Sequence, residues 1–233
     1  MILIVLDCIK FKLFVMLLCH MRSSFSLSLL YHAYVYLEFL ILACTIYILA
    51  PDKPNEKWLT DVSEFKYYRG NEVHKVYLSA ILDLYDRRIV TFKISDHNDN
   101  PLVMDTFDEA VNLEPDAHPL FHSDRGFQYT STQFYTRLKK HHMKQSMSRV
   151  SHCIDNGPME GFWGILKREM YYCQHFSDRD TLVAAITNYI NYYNNLRLQR
   201  KLNIMTPMEY HNQYIKVASS DCMPGMQPST KLF

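Results

Sequence analysis

Pro119-Leu120-Phe121-His122-Ser123-Asp124 is the stretch on which the reading of this chain turns. It is brief and mostly apolar, and it runs into the turn-forming Asp124-Arg125-Gly126, so it reads as a short buried strand ending in a carboxylate. Three longer runs precede it. Glu56 to Lys66, His74 to Leu84 and Arg87 to Ile94 are rich in β-branched and aromatic residues, and Asp83-Leu84-Tyr85-Asp86-Arg87-Arg88 supplies a turn between the second and third. Short connections predict an antiparallel meander. Asn100-Pro101 then predicts a helix, with Asn as cap, Pro at the first position, and Val103, Phe107, Ala110 and Val111 along one face.

Beyond Asp124 the chain turns mostly helical. Thr130-Ser131-Thr132-Gln133 has the form of a capping box and opens a helix with Phe134, Leu138 and His141 on one side. Lys144 to Ser148 reads as a short strand. Gly157-Pro158 opens the helix that carries Glu160. Ser177-Asp178-Arg179-Asp180 caps another, whose stripe is Leu182, Ile186, Tyr189, Ile190 and Tyr193, and Thr206-Pro207-Met208-Glu209 caps the last. Three strands, helix, strand, helix, strand, then helices is the order of an α/β, ribonuclease-H-like fold. Its mixed sheet has three antiparallel strands followed by parallel ones, flanked by helices, with the first and fourth strands side by side.

A length of 233 residues allows one good-sized domain, or a domain with an appendage. The formal net charge of +1 says little as a total, and its distribution says more. Between Ser95 and Asp124 every charge is acidic. From Arg125 to Ile154 there are only bases: Arg125, Arg137, Lys139, Lys140, Lys144 and Arg149. Such a stretch suits a phosphate backbone, and equally a solvated helix face. The six cysteines form no C-x-x-C pair and no regular framework, which fits a reducing compartment and excludes a disulfide scaffold. His152-Cys153 lacks partners at zinc-ligand spacing.

Composition changes abruptly near Pro51. Residues 1–50 contain no Gly, Pro, Asn, Gln or Trp and hold two apolar runs, Met1 to Cys19 and Ala33 to Ala50, each near membrane-spanning length. Asp7, Lys10 and Lys12 interrupt the first and Glu38 the second, at roughly 2.5–3.5 kcal/mol for each central charge. A signal peptide fits poorly, because the apolar stretch is too long and Pro51 follows Ala50. The expectation is an apolar appendage outside the core, introduced by truncation or rearrangement of an older gene. A membrane hairpin is the second reading.

Asp61, Asp124 and Glu160 are the residues that carry chemistry. On the expected fold two of them leave adjacent strands and the third faces them from a helix. Carboxylate oxygens on rigid elements are what Mg²⁺ or Mn²⁺ requires, and two such ions activate a nucleophile and stabilise the leaving oxygen of a phosphodiester. Each residue also has a plainer reading when taken singly. Asp61 suits an exposed edge strand, Asp124 a turn, and Glu160 the third position of a helix whose dipole it stabilises. Lys167, two helical turns after Glu160, shares its face and is placed to grip a phosphate; alone it reads as a solvent lysine. Tyr192, Tyr193, Asn194, Asn195, Arg197, Gln199, Arg200 and Lys201 form a polar-aromatic cluster suited to phosphate and base contacts, although Tyr193 also fits the core.

Several motifs in order carry a resemblance. Trp58-Leu59-Thr60-Asp61, His122-Ser123-Asp124-Arg125-Gly126-Phe127-Gln128-Tyr129, Gln145-Ser146-Met147-Ser148, Asp155-Asn156-Gly157-Pro158-Met159-Glu160-Gly161-Phe162-Trp163 and Leu166-Lys167-Arg168-Glu169 closely resemble the catalytic core of bacterial insertion-sequence transposases of the IS-three type, relatives of the retroviral integrase core. Tyr192 to Leu202 and Thr206-Pro207-Met208-Glu209-Tyr210 resemble that family's C-terminal end. The resemblance covers about residues 52 to 214. It implies an integrase-like core over 52–175, its C-terminal helices over 176–215 and a tail over 216–233.

It further implies that Asp61, Asp124 and Glu160 hold two Mg²⁺ or Mn²⁺ ions, that water and then a DNA 3′-hydroxyl attack a phosphodiester in line, and that Lys167 contacts transposon-end DNA. The expected function is a DNA transposase, a polynucleotidyl transferase of the cytoplasm and nucleoid that works as a homo-oligomer on terminal inverted repeats and target DNA. Arg125, Lys139, Lys140, Lys144, Arg149, Arg197, Arg200 and Lys201 are the further DNA-contact candidates. The alternative is a catalytically silent remnant that binds DNA or a full-length transposase. Two departures stand out: nothing in residues 1–50 resembles the family's helix-turn-helix, and Leu196 stands where the family shows Glu after Tyr-Asn-Asn.

Overall fold

Lys57–Arg69 (β1), Glu72–Asp83 (β2) and Ile89–Ser95 (β3) form the expected meander in the computed structural model, which describes residues 51–147 and 156–221. Gly70 supplies the left-handed φ of +61° at the two-residue turn between β1 and β2. Leu120–Ser123 (β4) and Lys144–Met147 (β5) complete a sheet of order β3-β2-β1-β4-β5. β1, β2 and β3 pair antiparallel, whereas β1–β4 and β4–β5 are parallel. This is the mixed ribonuclease-H-like sheet expected from the element order.

Asn100–Leu113 (α1) and Thr132–Lys140 (α2) pack their apolar stripes on the sheet. Phe107 meets Phe121 and Phe134 edge-on, with ring centroids 5.5 and 5.6 Å away, and Trp58 and Leu138 complete that cluster. Edge-to-face geometry places each ring's positive edge on a neighbour's negative face. Gly157–Leu166 (α3) continues into a widened π-turn, Lys167–Tyr171, and is followed by Arg179–Asn195 (α4), a 3₁₀ turn at Arg200–Leu202, and Pro207–Asp221 (α5). α3 contacts β1 and α4 contacts β3. The whole expected stripe of α4, Leu182, Ile186, Tyr189, Ile190 and Tyr193, is buried.

Helix starts differ from the sequence reading by a residue. Asp99, not Asn100, caps α1 by accepting from the Leu102 amide, because the helix begins at Asn100 itself. Ser131, not Thr130, caps α2 through the Phe134 amide. Asn156 precedes α3, which puts Glu160 at the fourth helical position rather than the third. Thr206 and Glu209 form a reciprocal capping box at α5, with bonds of 2.9 and 3.1 Å. That helix runs past residue 215 to Asp221.

The end of the sheet where β2 and β3 join is closed by a buried polar network. Asp86 accepts from Arg88 and shares a 2.7 Å hydrogen bond with His211 of α5, while Arg88 reaches Glu114 at 2.7 Å. Asp83 accepts from the Asn55 and Tyr85 amides, and burial beside Asp86 pushes its carboxyl well above the ordinary range. The described residues from Pro51 onward form one compact unit. Residues 1–50, the end of the expected strand at Ser148, Arg149, and the tail beyond Asp221 lie outside the described residues. Among the described residues no helix is long and apolar enough to cross a membrane.

A candidate carboxylate active site

The parallel pairing of β1 and β4 brings two acids together. Its last pair is Leu59↔His122, and two residues further along each strand stand Asp61 and Asp124. Asp61 lies within β1 rather than at its end. The strand continues to Arg69, paired with β2 as far as Arg69↔Glu72, and later segments bond its other edge: the Tyr171 hydroxyl donates to the Lys66 carbonyl and accepts its amide at 3.0 and 2.9 Å, and the Phe176 carbonyl accepts from the Tyr68 amide. β4 ends at Ser123, and Asp124 turns the chain, its Oδ1 accepting from the Gly126 amide at 2.8 Å. A Cβ on Gly126 would stand 3.0 Å from both that oxygen and Gln128 Oε1, so the turn needs a glycine for close approach rather than for its φ.

Asp61 carries a shifted carboxyl. Burial pushes its carboxyl up to about 6, and the charges of Asp124 and Glu160 add to the effect, against the Val62 amide and the Trp163 indole. Trp163 Nε1 donates to Asp61 Oδ2 at 3.0 Å. Glu160 is exposed in the first turn of α3, three residues before that indole on the same helix face. Its influence on Asp61 is the electrostatic sign that helix and strands converge. Tyr129 braces the pair from below: its buried hydroxyl lies 3.2 Å from Thr60 Oγ1, which donates to the Ala80 carbonyl, and its own carbonyl accepts from Gln145.

Lys167 joins this group. Its ammonium sits 5.2 Å over the Phe65 ring, and burial draws it below the ordinary lysine range while Glu64 and Asp61 oppose that. The other DNA-contact candidates spread more widely. Arg125 is exposed next to Asp124, Lys139 lies over Tyr135 at 5.1 Å, Lys140 and Lys144 are exposed, and Arg200 and Lys201 occupy the exposed 3₁₀ turn. Arg197 faces Glu169 in a bidentate pair at 2.7 and 2.9 Å, and Tyr189 donates to the same carboxylate. Asn194 is likewise structural, bonding the backbone of Ile89. Arg149 lies outside the described residues.

Sequence reasoning left out the roles of Trp163, Tyr129, Thr60 and Gly126. Three of them lie within three residues of a named acid in the motifs: Thr60 precedes Asp61, Gly126 is two residues past Asp124, and Trp163 is three past Glu160. Among the described residues no three His, Cys, Asp or Glu side chains stand close enough to ligate one ion. In kind, the donors fit a hard divalent cation: all are carboxylates, and Asp61 is half-buried amid negative charge that a cation would compensate.

An integrase core domain model matches residues 51–153, and a second integrase core domain model matches residues 160–215. A putative transposase of insertion element IS150 from Escherichia coli is 42% identical over 162 residues, covering 69% of this chain and 56% of the relative. The chain thus spans little more than half the length of that relative. An uncharacterized transposase-like protein of Haemophilus influenzae is 38% identical over 161 residues, covering 69% of this chain and 73% of the relative. The magnesium-bound catalytic core domain of HTLV-2 integrase superposes with a TM-score of 0.53 at 20% identity, over 69% of this chain and 98% of that one, a likeness of fold. With motifs, sheet topology and relatives in agreement, the chain belongs to the insertion-sequence transposases of the IS-three type, built on an integrase core domain.

Proposed function

We propose that this chain carries the catalytic part of a DNA transposase, a polynucleotidyl transferase that cuts DNA at the ends of a mobile element and joins them to a target. The observation that supports this most is the position of Asp61 and Asp124, each two residues beyond the last pair of the parallel strands β1 and β4, with Glu160 close enough to raise the Asp61 carboxyl. Asp61, Asp124 and Glu160 would hold two Mg²⁺ or Mn²⁺ ions. When bound, such ions supply charge neutralisation at the phosphodiester and acidify the attacking hydroxyl. The three do not stand within reach of one ion here, so they would have to draw together to share ligation.

The remaining roles belong to the chain's own side chains. Lys167, held over Phe65 and facing the acids, is placed to bind a phosphate next to the scissile one. Arg125, Lys139, Lys140 and Lys144 supply positive charge along DNA, with Arg200 and Lys201 at a second exposed site. Arg197 contributes by holding α4 to the π-turn through Glu169. The DNA partners are the element's terminal repeats and the target, engaged by more than one copy of the chain.

The test uses the full chain on duplexes carrying candidate element ends, with Mn²⁺ or Mg²⁺, beside Asp124→Asn. Metal-dependent nicking that disappears in the variant supports the proposal. A folded protein that binds these duplexes but cuts none with either metal overturns it in favour of the silent DNA-binding remnant.

A further inference from the structure

Two observations on Trp163 stand apart from its packing. Its indole N–H donates to Asp61 Oδ2 at 3.0 Å, a contact across 102 residues of sequence. It also sits on the helix that presents Glu160, three residues on, and is buried against Phe162, whose ring meets Tyr193 of α4 at 4.8 Å. The one hydrogen bond therefore ties β1, which carries one acid, to α3, which carries another. An indole donates and never accepts, and it ligates no cation, so it competes for nothing that a metal needs. It takes up one acceptor direction of Asp61 Oδ2, and the Val62 amide also bonds this carboxylate.

We propose that Trp163 is a positioning residue for metal binding: it fixes the orientation of the Asp61 carboxylate and the approach of α3, so that Glu160 can reach the same ions. This rests on the two-metal reading above. Outer-shell donors that orient a ligand typically change metal affinity by about 10–100-fold when removed. A packing role alone predicts a different result, because phenylalanine keeps an aromatic ring in the slot and deletes the donor.

The experiment measures Mn²⁺ affinity of the full chain by calorimetry or electron paramagnetic resonance, for wild type, Trp163→Phe, Asp61→Ala and the double variant, with melting temperatures alongside. The expected result is that Trp163→Phe melts within a few degrees of wild type and binds Mn²⁺ at least about tenfold more weakly. In the Asp61→Ala background, where the indole has no acceptor, the same change should have little further effect. Mn²⁺ affinity of Trp163→Phe within about twofold of wild type, or an equal loss in the Asp61→Ala background, overturns the positioning role and leaves the function intact. A wild type that binds no Mn²⁺ instead overturns the two-metal reading and this inference with it. Should Trp163→Phe fail to fold, Trp163→Tyr, which keeps a ring and moves the donor, is measured in its place against the same thresholds.

Discussion

The side-chain amide of Asn194 bonds both backbone groups of Ile89, donating to its carbonyl at 2.9 Å and accepting from its amide at 2.9 Å. Ile89 opens β3, an edge strand of the sheet, and Asn194 lies near the end of α4. The amide thus serves as an extra strand residue and satisfies groups that an edge leaves bare. Asn194→Ala removes both bonds and leaves two partly buried backbone groups unpaired, a loss of about 2–4 kcal/mol. Asn194→Asp keeps the acceptor but sets a carboxylate against the Ile89 carbonyl, and should lose at least as much. Urea unfolding checks this; a change in stability below about 0.5 kcal/mol for Asn194→Ala would show that the contact is dispensable.

Arg197 and Glu169 illustrate how a basic residue beside tyrosines can be structural. Their bidentate pair holds the Glu169 carboxyl below its usual range, with Arg197 the main cause and Tyr189 also donating. Both partners are partly exposed, so a double-mutant cycle should give a coupling of about 1 kcal/mol, towards the upper end for surface pairs because the geometry is bidentate. Arg197→Ala is expected to lower the unfolding midpoint while leaving the salt dependence of DNA binding unchanged. A shallower salt slope with unaltered stability would instead make Arg197 a phosphate contact.

These two residues also mark where the sequence became illegible. The stripes of α1, α2 and α4 follow from helical spacing, and β4 follows from a short apolar run ending in an acid, because burial imposes those patterns locally. Asn194 and Arg197 look like nucleic-acid contacts because polar and aromatic residues cluster there, yet their partners lie 105 and 28 positions away. The bonding of the outer edge of β1 rests on the same kind of distant contact, Tyr171 on Lys66, 105 positions apart. Cap residues were misplaced by one because Asp99 and Asn100, or Thr130 and Ser131, are equally good caps until tertiary packing chooses the first turn. The placement of Asp61, Asp124 and Glu160 on or beside strand, strand and helix is legible because their order is a topological pattern.

Gly126 gives a test of the turn that aims Asp124. Adding a Cβ there brings it to 3.0 Å from Asp124 Oδ1, while nothing about the backbone φ forbids alanine. The neighbour that must yield is the carboxylate itself or Gln128, whose Nε2 is held by Asn98 at 2.6 Å. Gly126→Ala should therefore fold normally and cut DNA about 10–100-fold more slowly, the effect of a small misplacement of a catalytic group. Equal activity and equal melting temperature would show that the turn relaxes without moving Asp124.

Asp61 predicts a pH dependence whose sign is fixed. Its carboxyl titrates near 6 in the folded chain against 3.8 as the ordinary value, chiefly through burial. The folded state therefore holds its proton more tightly, and stability falls as pH rises from about 4 to 6, then levels off. A shift of that size corresponds to at most about 3 kcal/mol at neutral pH. Asp61→Asn removes the charge but keeps an oxygen for the Trp163 indole, so in EDTA at pH 7.5 the variant should melt above wild type, and at pH 4 the two should converge. Mn²⁺ should reverse the order at neutral pH by stabilising only the chain that retains the carboxylate. Thermal melts at both pH values, with and without the cation, measure all of this. If Asp61→Asn melts below wild type at pH 7.5 in EDTA, Asp61 is not a buried charge awaiting a cation.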